Sequence, residues 1–295
     1  MSEFMQNMTV ALGGLPVMFF ASLAMAGRRE KRPVGKGILL VAFGTSVPEA
    51  QEIYQEIDAA AKARFREAEV RWAFTSQTIR KKLAGQGRIT LSPSQALAEM
   101  AEDGFTQVAV QSLLAIPGQE FHQLYDTVIR FKGMPKGIGQ VCVGRPLMAT
   151  TRDMQRLAEA ILAGLPRERE GGEAVVLMGH GTGHPGNVCY PAMNYIIQRM
   201  DPNVLVGTVD GYPDIEQIRN DLVRKRIKKA WLMPFMSVAG DHARNDMAGD
   251  RDESWKSILT KAGIECRPVL KGLAAYPQIL AIWMDHLDEA LGRLK

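Results

Sequence analysis

Two pairs of matching segments decide the fold, because each segment in the first half of the chain has a counterpart in the second half. ILLVAFGTSVPEA (38–50) aligns with VVLMGHGTGHPGN (175–187), and both contain an apolar run, Gly-Thr, a small residue and, two positions later, Pro. VAVQSLLAIPGQE (108–120) aligns with AWLMPFMSVAGDH (230–242). One such match would be ordinary, since many strand-to-loop junctions contain Gly and Pro. Two matches in the same order indicate two copies of one unit.

Short apolar runs alternate with longer amphipathic segments along the chain. We predict a β-strand for each run and an α-helix for the segment that follows it. The predicted strands are 38–43, 70–74, 108–111, 140–143, 174–178, 204–208, 230–233 and 265–269. The predicted helices are 48–65, 94–102, 119–131, 151–162, 190–200, 215–226, 244–261 and 277–294. This alternation predicts the α/β class, with two similar Rossmann-like domains whose parallel sheets face each other across a cleft.

The first 26 residues differ in composition from the rest of the chain. They contain no Lys or Arg, an apolar run at 10–23, and AMA (24–26) directly before GRR (27–29). This arrangement is typical of a cleaved secretory signal peptide, so we expect a periplasmic protein with no membrane span in the mature chain. An uncleaved N-terminal anchor or a disordered leader is the alternative, because Glu3 lies where a signal peptide usually carries positive charge.

The remaining chain divides at PREREGG (166–172), whose charge, Pro and Gly indicate an exposed connection. We therefore predict a signal peptide over residues 1–26, an N-terminal α/β domain over 27–165 and a C-terminal α/β domain over 166–295. For the last helix, packing against the first domain is the alternative to packing within the C-terminal domain.

Charge and cysteine usage limit the classes of partner. The net charge of +4 is a mild basic excess, and no Lys/Arg run is interleaved with aromatic residues. An acidic small molecule therefore fits better than nucleic acid. No GxxxxGK[ST] phosphate loop is present, so ATP is not expected. Cys142, Cys189 and Cys266 form no CxxC pair and are expected to be free thiols, with a single disulfide as the alternative.

The strand-to-loop junctions of the repeat indicate where a ligand binds, because open parallel sheets bind ligands outside the carboxyl ends of their strands. At the aligned positions, Phe43 corresponds to His180 and Glu120 corresponds to His242. Two imidazoles with a carboxylate fit a borderline divalent metal such as cobalt, nickel or zinc. A lone His at such a junction is more often a structural residue that caps its own loop. The second His at an equivalent junction favours metal binding.

Four segments carry a specific resemblance: VQSLLAIPGQEF around Glu120, GHGTGHP around His180, GTVDGYP around Asp210 and PFMSVAGDHARNDMAGD around His242. They resemble the signature segments of the sirohydrochlorin cobaltochelatases, class II chelatases related to ferrochelatase, from about residue 37 to the C-terminus. The resemblance implies a lyase that inserts Co²⁺, with Fe²⁺ as the other candidate, into sirohydrochlorin for cobalamin synthesis, without ATP. It also implies that His180 and His242 bind the metal and that Glu120 is an acid of the catalytic group.

Asp210 departs from the family pattern, in which the third segment reads GTVEGYP. Asp keeps the charge but is one methylene shorter, so direct metal binding would require the loop to move inward. A water-bridged contact is the compromise, and capping of the turn before Gly211 is the alternative. We include Asp210 with His180 and His242 in the predicted metal site.

Further candidates follow from the many carboxylates of such a substrate. Arg80, Lys81, Lys82 and Arg88 are predicted to bind them, although a basic run is often just a solvated face. His184 either orients the GHGTG loop or touches the substrate, with a solvated side chain as the alternative.

His122 lies on the predicted helix 119–131 but outside the ligand positions that the resemblance implies. If it binds a ligand, the candidates are a second metal or the iron of a haem at a subunit contact of a homo-oligomer. An exposed His without such a role is the alternative.

A periplasmic binding protein is the second hypothesis, from a different class. Two α/β lobes would close on a metal or a tetrapyrrole without transforming it. Export strengthens this hypothesis, because cobalamin synthesis is expected inside the cell. Catalytic turnover distinguishes the two.

Overall fold

Parallel β-strands form at all the predicted apolar runs in the computed structural model, which describes residues 35–294. They build two four-stranded sheets, ordered β2-β1-β3-β4 and β6-β5-β7-β8. The identical order confirms the predicted α/β class with two similar parallel sheets. The predicted signal peptide lies outside the described residues. The strands are β1 Lys36–Ala42, β2 Glu69–Phe74, β3 Gln107–Ser112, β4 Gln140–Gly144, β5 Ala174–Gly179, β6 Val204–Thr208, β7 Lys229–Pro234 and β8 Glu265–Pro268.

Strand register follows the sequence repeat. Gly37 pairs with Val108 in the first sheet, and the aligned residues Ala174 and Ala230 pair in the second. The alignment made from sequence therefore holds in three dimensions, with Phe43 and His180 as the first residues after the equivalent strands β1 and β5.

Helices and short helical turns connect the strands and cover both sheets. The α-helices of the described residues are α1 Pro48–Arg64, α2 Gln77–Gly85, α3 Pro93–Glu102, α4 Gln119–Ile129, α5 Thr151–Ala163, α6 Cys189–Gln198, α7 Ile215–Arg224, α8 Trp255–Lys261 and α9 Pro277–Gly292. Two 3₁₀ turns lie at Pro185–Val188 and Leu273–Ala275, and a π-helical turn lies at Ala243–Met247.

The predicted helix 244–261 is wrong as a single helix, because the chain forms a π-helical turn and then α8 after a break. Gly249 marks this break, since a Cβ there would lie 2.3 Å from the carbonyl oxygen of Asn245. Ser254 then caps α8, where its hydroxyl accepts a hydrogen bond from the Ser257 N–H. Helical periodicity alone did not detect this interruption.

Sequence reasoning also missed α2. Ser76 caps this helix by accepting a hydrogen bond from the Ile79 N–H. Of its residues only Leu83 is buried, so the segment lacks the repeated apolar positions that identify a helix in sequence.

One apolar core joins the two sheets. Along β1, Ile38 and Leu40 face this shared core, whereas Leu39 and Val41 face the helices on the opposite side of the sheet. In β5, Val175 and Leu177 face the shared core. Both faces of each central strand are thus covered, which explains why these strands are continuous apolar runs rather than alternating ones.

The C-terminal helix α9 packs against β3 and β4 of the first sheet. Its His286 is 1% exposed and lies 3.1 Å from the carboxylate of Asp153 on α5, while the other ring nitrogen lies 3.1 Å from the Arg145 carbonyl oxygen. This buried contact joins α9 to α5. The division into domains at 166–172 stays a prediction.

Residues 35–294 contain no helix that is long and apolar enough to cross a bilayer. Cys142, Cys189 and Cys266 are free thiols, as expected. Burial raises the pKa of Cys266 to about 11, so this thiol is protonated at neutral pH.

Candidate active site

The loops at the carboxyl ends of the two sheets meet. The Ser237 hydroxyl, after β7, donates to the Leu113 carbonyl oxygen after β3 at 2.6 Å. Beside it, Gly240 is so close to the first half that a Cβ there would lie 3.2 Å from Thr45 Oγ1. The loops that carry the candidate residues therefore face one another.

His180 is the first residue after β5, and its side chain is exposed. Gly181 makes the following turn possible, because its φ is +81° and a Cβ would lie 2.5 Å from the Asp210 carbonyl oxygen. The Nδ1 of His180 lies 3.0 Å from the Gly181 carbonyl oxygen. An acceptor at that distance places the proton on Nδ1 and leaves Nε2 with a free lone pair.

His242 reaches the same place from the loop after β7. The ring centroids of His180 and His242 are 4.7 Å apart, and the rings are almost perpendicular at 86°. The Nδ1 of His242 lies 2.5 Å from Asp246 Oδ2, so it is the donor and Nε2 again has a free lone pair. The structure thus brings together the two imidazoles that the sequence selected.

Asp210 is anchored next to this pair through its backbone. Its N–H donates to the His180 carbonyl oxygen at 2.8 Å, while its side chain is exposed. Asn187 supports the same loop by donating to the Tyr212 carbonyl oxygen at 2.9 Å. Within residues 35–294, no three His, Cys, Asp or Glu side chains converge closely enough to hold a metal ion together. The Asp210 carboxylate therefore does not complete a three-residue site here.

Glu120 lies in the first turn of α4, and its carboxylate accepts a hydrogen bond from the Thr75 hydroxyl at 2.7 Å. It lines a hollow of about 150 Å³ between the start of α3 and α4, together with Ser94, Gln123 and Thr127. Glu120 thus lies on the side of the site that the first half forms. Within the described residues it does not form a metal-binding group with the two histidines.

His122 and His184 form a second pair of imidazoles, which joins α4 of the first half to the loop after β5. Nδ1 of His122 and Nε2 of His184 are 3.3 Å apart. Because Nδ1 of His184 accepts the Gly186 N–H at 2.9 Å, a neutral His184 carries its proton on Nε2 and donates to His122. The same loops touch closely, since a Cβ on Gly186 would lie 2.6 Å from the Pro117 carbonyl oxygen.

The predicted carboxylate-binding cations lie on and after α2, which follows the carboxyl end of β2. Lys81 and Lys82 are exposed, Arg80 is half-buried with no hydrogen-bond partner for its Nε, and Arg88 donates to the Gln51 side chain. Three of the four cations thus lie on α2, and Arg88 lies in the loop that follows it.

Asp246 and Arg251 were not singled out from the sequence. Asp246 accepts from both His242 and Arg251, the latter at 3.0 Å. The spacing of His242 and Asp246, four residues apart, could have suggested the contact, because such residues are neighbours on a helical turn.

Comparison with known proteins decides the family. The family model for the cobalt chelatase CbiK matches residues 36–292. This chain belongs to the CbiK cobalt chelatase family.

Relatives of this CbiK family member cover most of its length. It is 43% identical over 259 residues to sirohydrochlorin cobaltochelatase CbiKC of Nitratidesulfovibrio vulgaris, covering 88% of this chain and 92% of that protein. It is 35% identical over 260 residues to the sirohydrochlorin cobaltochelatase of Salmonella typhimurium, covering 87% of this chain and 96% of that protein. Among solved structures, SirB of Bacillus subtilis with Fe³⁺ shares the fold, with a TM-score of 0.59 at 15% identity over 89% of this chain and 99% of that one.

Proposed function

We propose that this chain inserts Co²⁺ into sirohydrochlorin without ATP. The observation that carries the proposal is the His180–His242 pair, whose ring centroids are 4.7 Å apart at the meeting carboxyl ends of the two sheets. Each ring uses Nδ1 as a donor and keeps Nε2 for a metal. Two relatives named sirohydrochlorin cobaltochelatase, at 43% and 35% identity, support the substrate assignment.

These groups suffice for the chemistry. The macrocycle exchanges two pyrrole N–H protons for one divalent ion, so the protein must present a partly dehydrated metal and accept protons. Neutral imidazoles do both, because a ring that releases the metal regains a basic nitrogen. Glu120, whose carboxylate accepts from the Thr75 hydroxyl, is the proposed acid-base group on the first half, opposite the two histidines.

Exposed aromatic side chains support a substrate with a flat apolar face. Phe43, at the position in the first half that corresponds to His180, is 43% exposed, and Tyr212, two residues after Asp210, is 59% exposed. Aromatic rings open to solvent at a ligand-binding edge are typical surfaces for stacking. Arg80, Lys81, Lys82 and Arg88 are the proposed partners of the macrocycle's carboxylates, and His184 is a further candidate.

A turnover assay tests the proposed function. Purified protein with metal-free sirohydrochlorin and Co²⁺ should accelerate the absorbance change of the macrocycle well beyond the spontaneous reaction. A protein that binds cobalt or the macrocycle without accelerating insertion would support the binding-protein hypothesis instead. The same assay with anaerobic Fe²⁺ tests iron as the alternative metal, and the faster reaction at equal metal concentration identifies the preferred ion.

Export is a separate part of the proposal. We propose cleavage after AMA (24–26), giving a periplasmic protein that starts at Gly27. N-terminal sequencing of the native protein from a periplasmic fraction tests this. A chain that retains Met1 in the cytosolic fraction would contradict it.

A haem or second metal at His122 and a homo-oligomer stay predictions. In the neutral pair, His184 donates to Nδ1 of His122, so the remaining proton of His122 lies on Nε2. A metal at that nitrogen would require the pair to rearrange its protons. The proposed insertion chemistry does not depend on it.

A further inference from the structure

The two metal-binding histidines differ in what supports them. His242 donates through Nδ1 to the Asp246 carboxylate, and the second oxygen of that carboxylate accepts from Arg251. Asp246 belongs to the π-helical turn Ala243–Met247, whose first and last residues are fully buried. The supporting carboxylate is thus anchored to the core by the backbone on both sides.

His180 has a weaker support. Its Nδ1 donates to the carbonyl oxygen of the next residue, Gly181, at 3.0 Å. A neutral carbonyl polarises an imidazole less than a carboxylate does, because charge-assisted hydrogen bonds are about twice as strong as neutral ones. A carboxylate behind a ligating His fixes the orientation of the ring and raises its basicity toward the metal.

We infer that Asp246 is a positioning residue that makes His242 the stronger of the two metal ligands, so that the metal leaves His180 first during insertion. The inference rests on the proposed function, and it assigns an order to the ligand exchange. His180 is then the ligand that delivers the metal, and His242 is the ligand that retains it until the macrocycle has bound it.

The protons balance in this order. In the first exchange the bond between cobalt and His180 Nε2 breaks, a bond to a pyrrole nitrogen forms, and the proton of that pyrrole passes to the freed Nε2. In the second exchange the bond between cobalt and His242 Nε2 breaks, and His242 takes the second pyrrole proton. The resulting imidazolium is stabilised by the Asp246 carboxylate at 2.5 Å.

Cobalt titration of the protein without macrocycle tests the role of Asp246. Asp246→Ala should weaken cobalt binding by about 10- to 100-fold, the usual effect of removing a group that supports a metal ligand. Asp246→Asn should lose less, because the amide oxygen still accepts the Nδ1 proton of His242.

One control variant separates positioning from a general structural effect. Asp250→Ala removes an exposed carboxylate of the same segment, which pairs with Lys256 at 2.6 Å, and it should bind cobalt as the wild type does. Wild-type affinity in Asp246→Ala, or an equal loss in Asp250→Ala, would overturn the inference.

The order of release is tested by the same titration on two further variants. His242→Ala should bind cobalt about tenfold or more weakly than His180→Ala, because only the first loses the ligand backed by a carboxylate. Equal or reversed affinities would overturn the order. Since no macrocycle is present, these outcomes do not depend on turnover, and a failure of insertion alone would contradict the proposed function but not the ligand asymmetry.

Discussion

Asp210 combines a fixed backbone with an unconstrained carboxylate. Its N–H is bound to the His180 carbonyl oxygen, while no hydrogen-bond partner for its side chain occurs in the described part of the chain. The turn-capping alternative is therefore not seen. A short acid next to two imidazoles can approach a metal only if its loop shifts or a water intervenes.

Substitution of Asp210 tests whether its carboxylate lies close to the bound metal. Asp210→Glu should preserve or raise cobalt affinity, because the added methylene restores the length of the family's usual acid. Asp210→Ala should weaken cobalt binding about 10- to 100-fold without lowering the melting temperature. Cobalt titration and thermal melting of both variants check this, and an Ala variant with unchanged affinity would remove Asp210 from the site.

The sequence predicted the two histidines but not what supports them. His180 and His242 were found because both lie in loops that follow strands of the second copy, and the strands are reliably located by apolar runs. Asp246 escaped because the expected helix 244–261 begins after His242, whereas in the structure His242 already has helical backbone angles and lies one turn before Asp246. Thr75 escaped as well, since its contact with Glu120 joins the end of β2 to α4 and has no local signature.

At the scale of elements, the buried carboxylate of Asp153 lies in the interface between α9 and α5. Burial alone would raise the pKa of Asp153, but hydrogen bonds from Thr150 and His286 and the positive charges of His286 and Arg145 outweigh it, so the pKa lies below its usual value. The folded state therefore favours the charged carboxylate.

Removal of this charge should destabilise the protein. Asp153→Asn removes the buried carboxylate that accepts from Thr150 and contacts His286, which typically costs about 1.5 to 3 kcal/mol in unfolding free energy. Asp288→Asn on the same helix α9 is the control, because its exposed pair with Arg64 should contribute at most about 1 kcal/mol. Urea unfolding at neutral pH measures both, and equal stabilities would contradict the assigned role.

The same pair predicts a pH dependence. Because the pKa of Asp153 is lowered in the folded state, its contribution is complete above the unfolded value of about 3.9 and is lost as pH falls through the lower folded value. Wild-type stability should therefore fall more steeply below about pH 4 than that of Asp153→Asn. Parallel acid titrations of the unfolding free energy check this, and parallel curves would exclude Asp153 as a cause.

At the scale of the whole molecule, duplication explains why the candidate site lies where the two sheets meet. Two copies of one sheet share an apolar core, so their carboxyl ends are held facing each other. The copies then differ at aligned positions, with Phe43 opposite His180 in the alignment and Glu120 opposite His242. The first half thus offers an aromatic ring and a carboxylate, and the second half offers the two imidazoles.

The helix α2 could not be predicted from the sequence. Its only buried residue is Leu83, and its position is set by the end of β2 and by the Ser76 cap rather than by a periodic apolar face. It nevertheless carries Arg80, Lys81 and Lys82, which were selected by charge alone. Strands could be located from their buried runs, whereas a short polar helix at the rim could not.

The most direct test of the account is the rate of cobalt insertion into sirohydrochlorin by His180→Ala and His242→Ala. Each variant should show no acceleration above the spontaneous reaction, because each lacks a metal ligand at the meeting edges of the sheets. Both should melt at the wild-type temperature, since the side chain of His180 is exposed and that of His242 is half-buried. Asp250→Ala serves as the active control. Insertion at the wild-type rate by both His variants would contradict the assignment of the site.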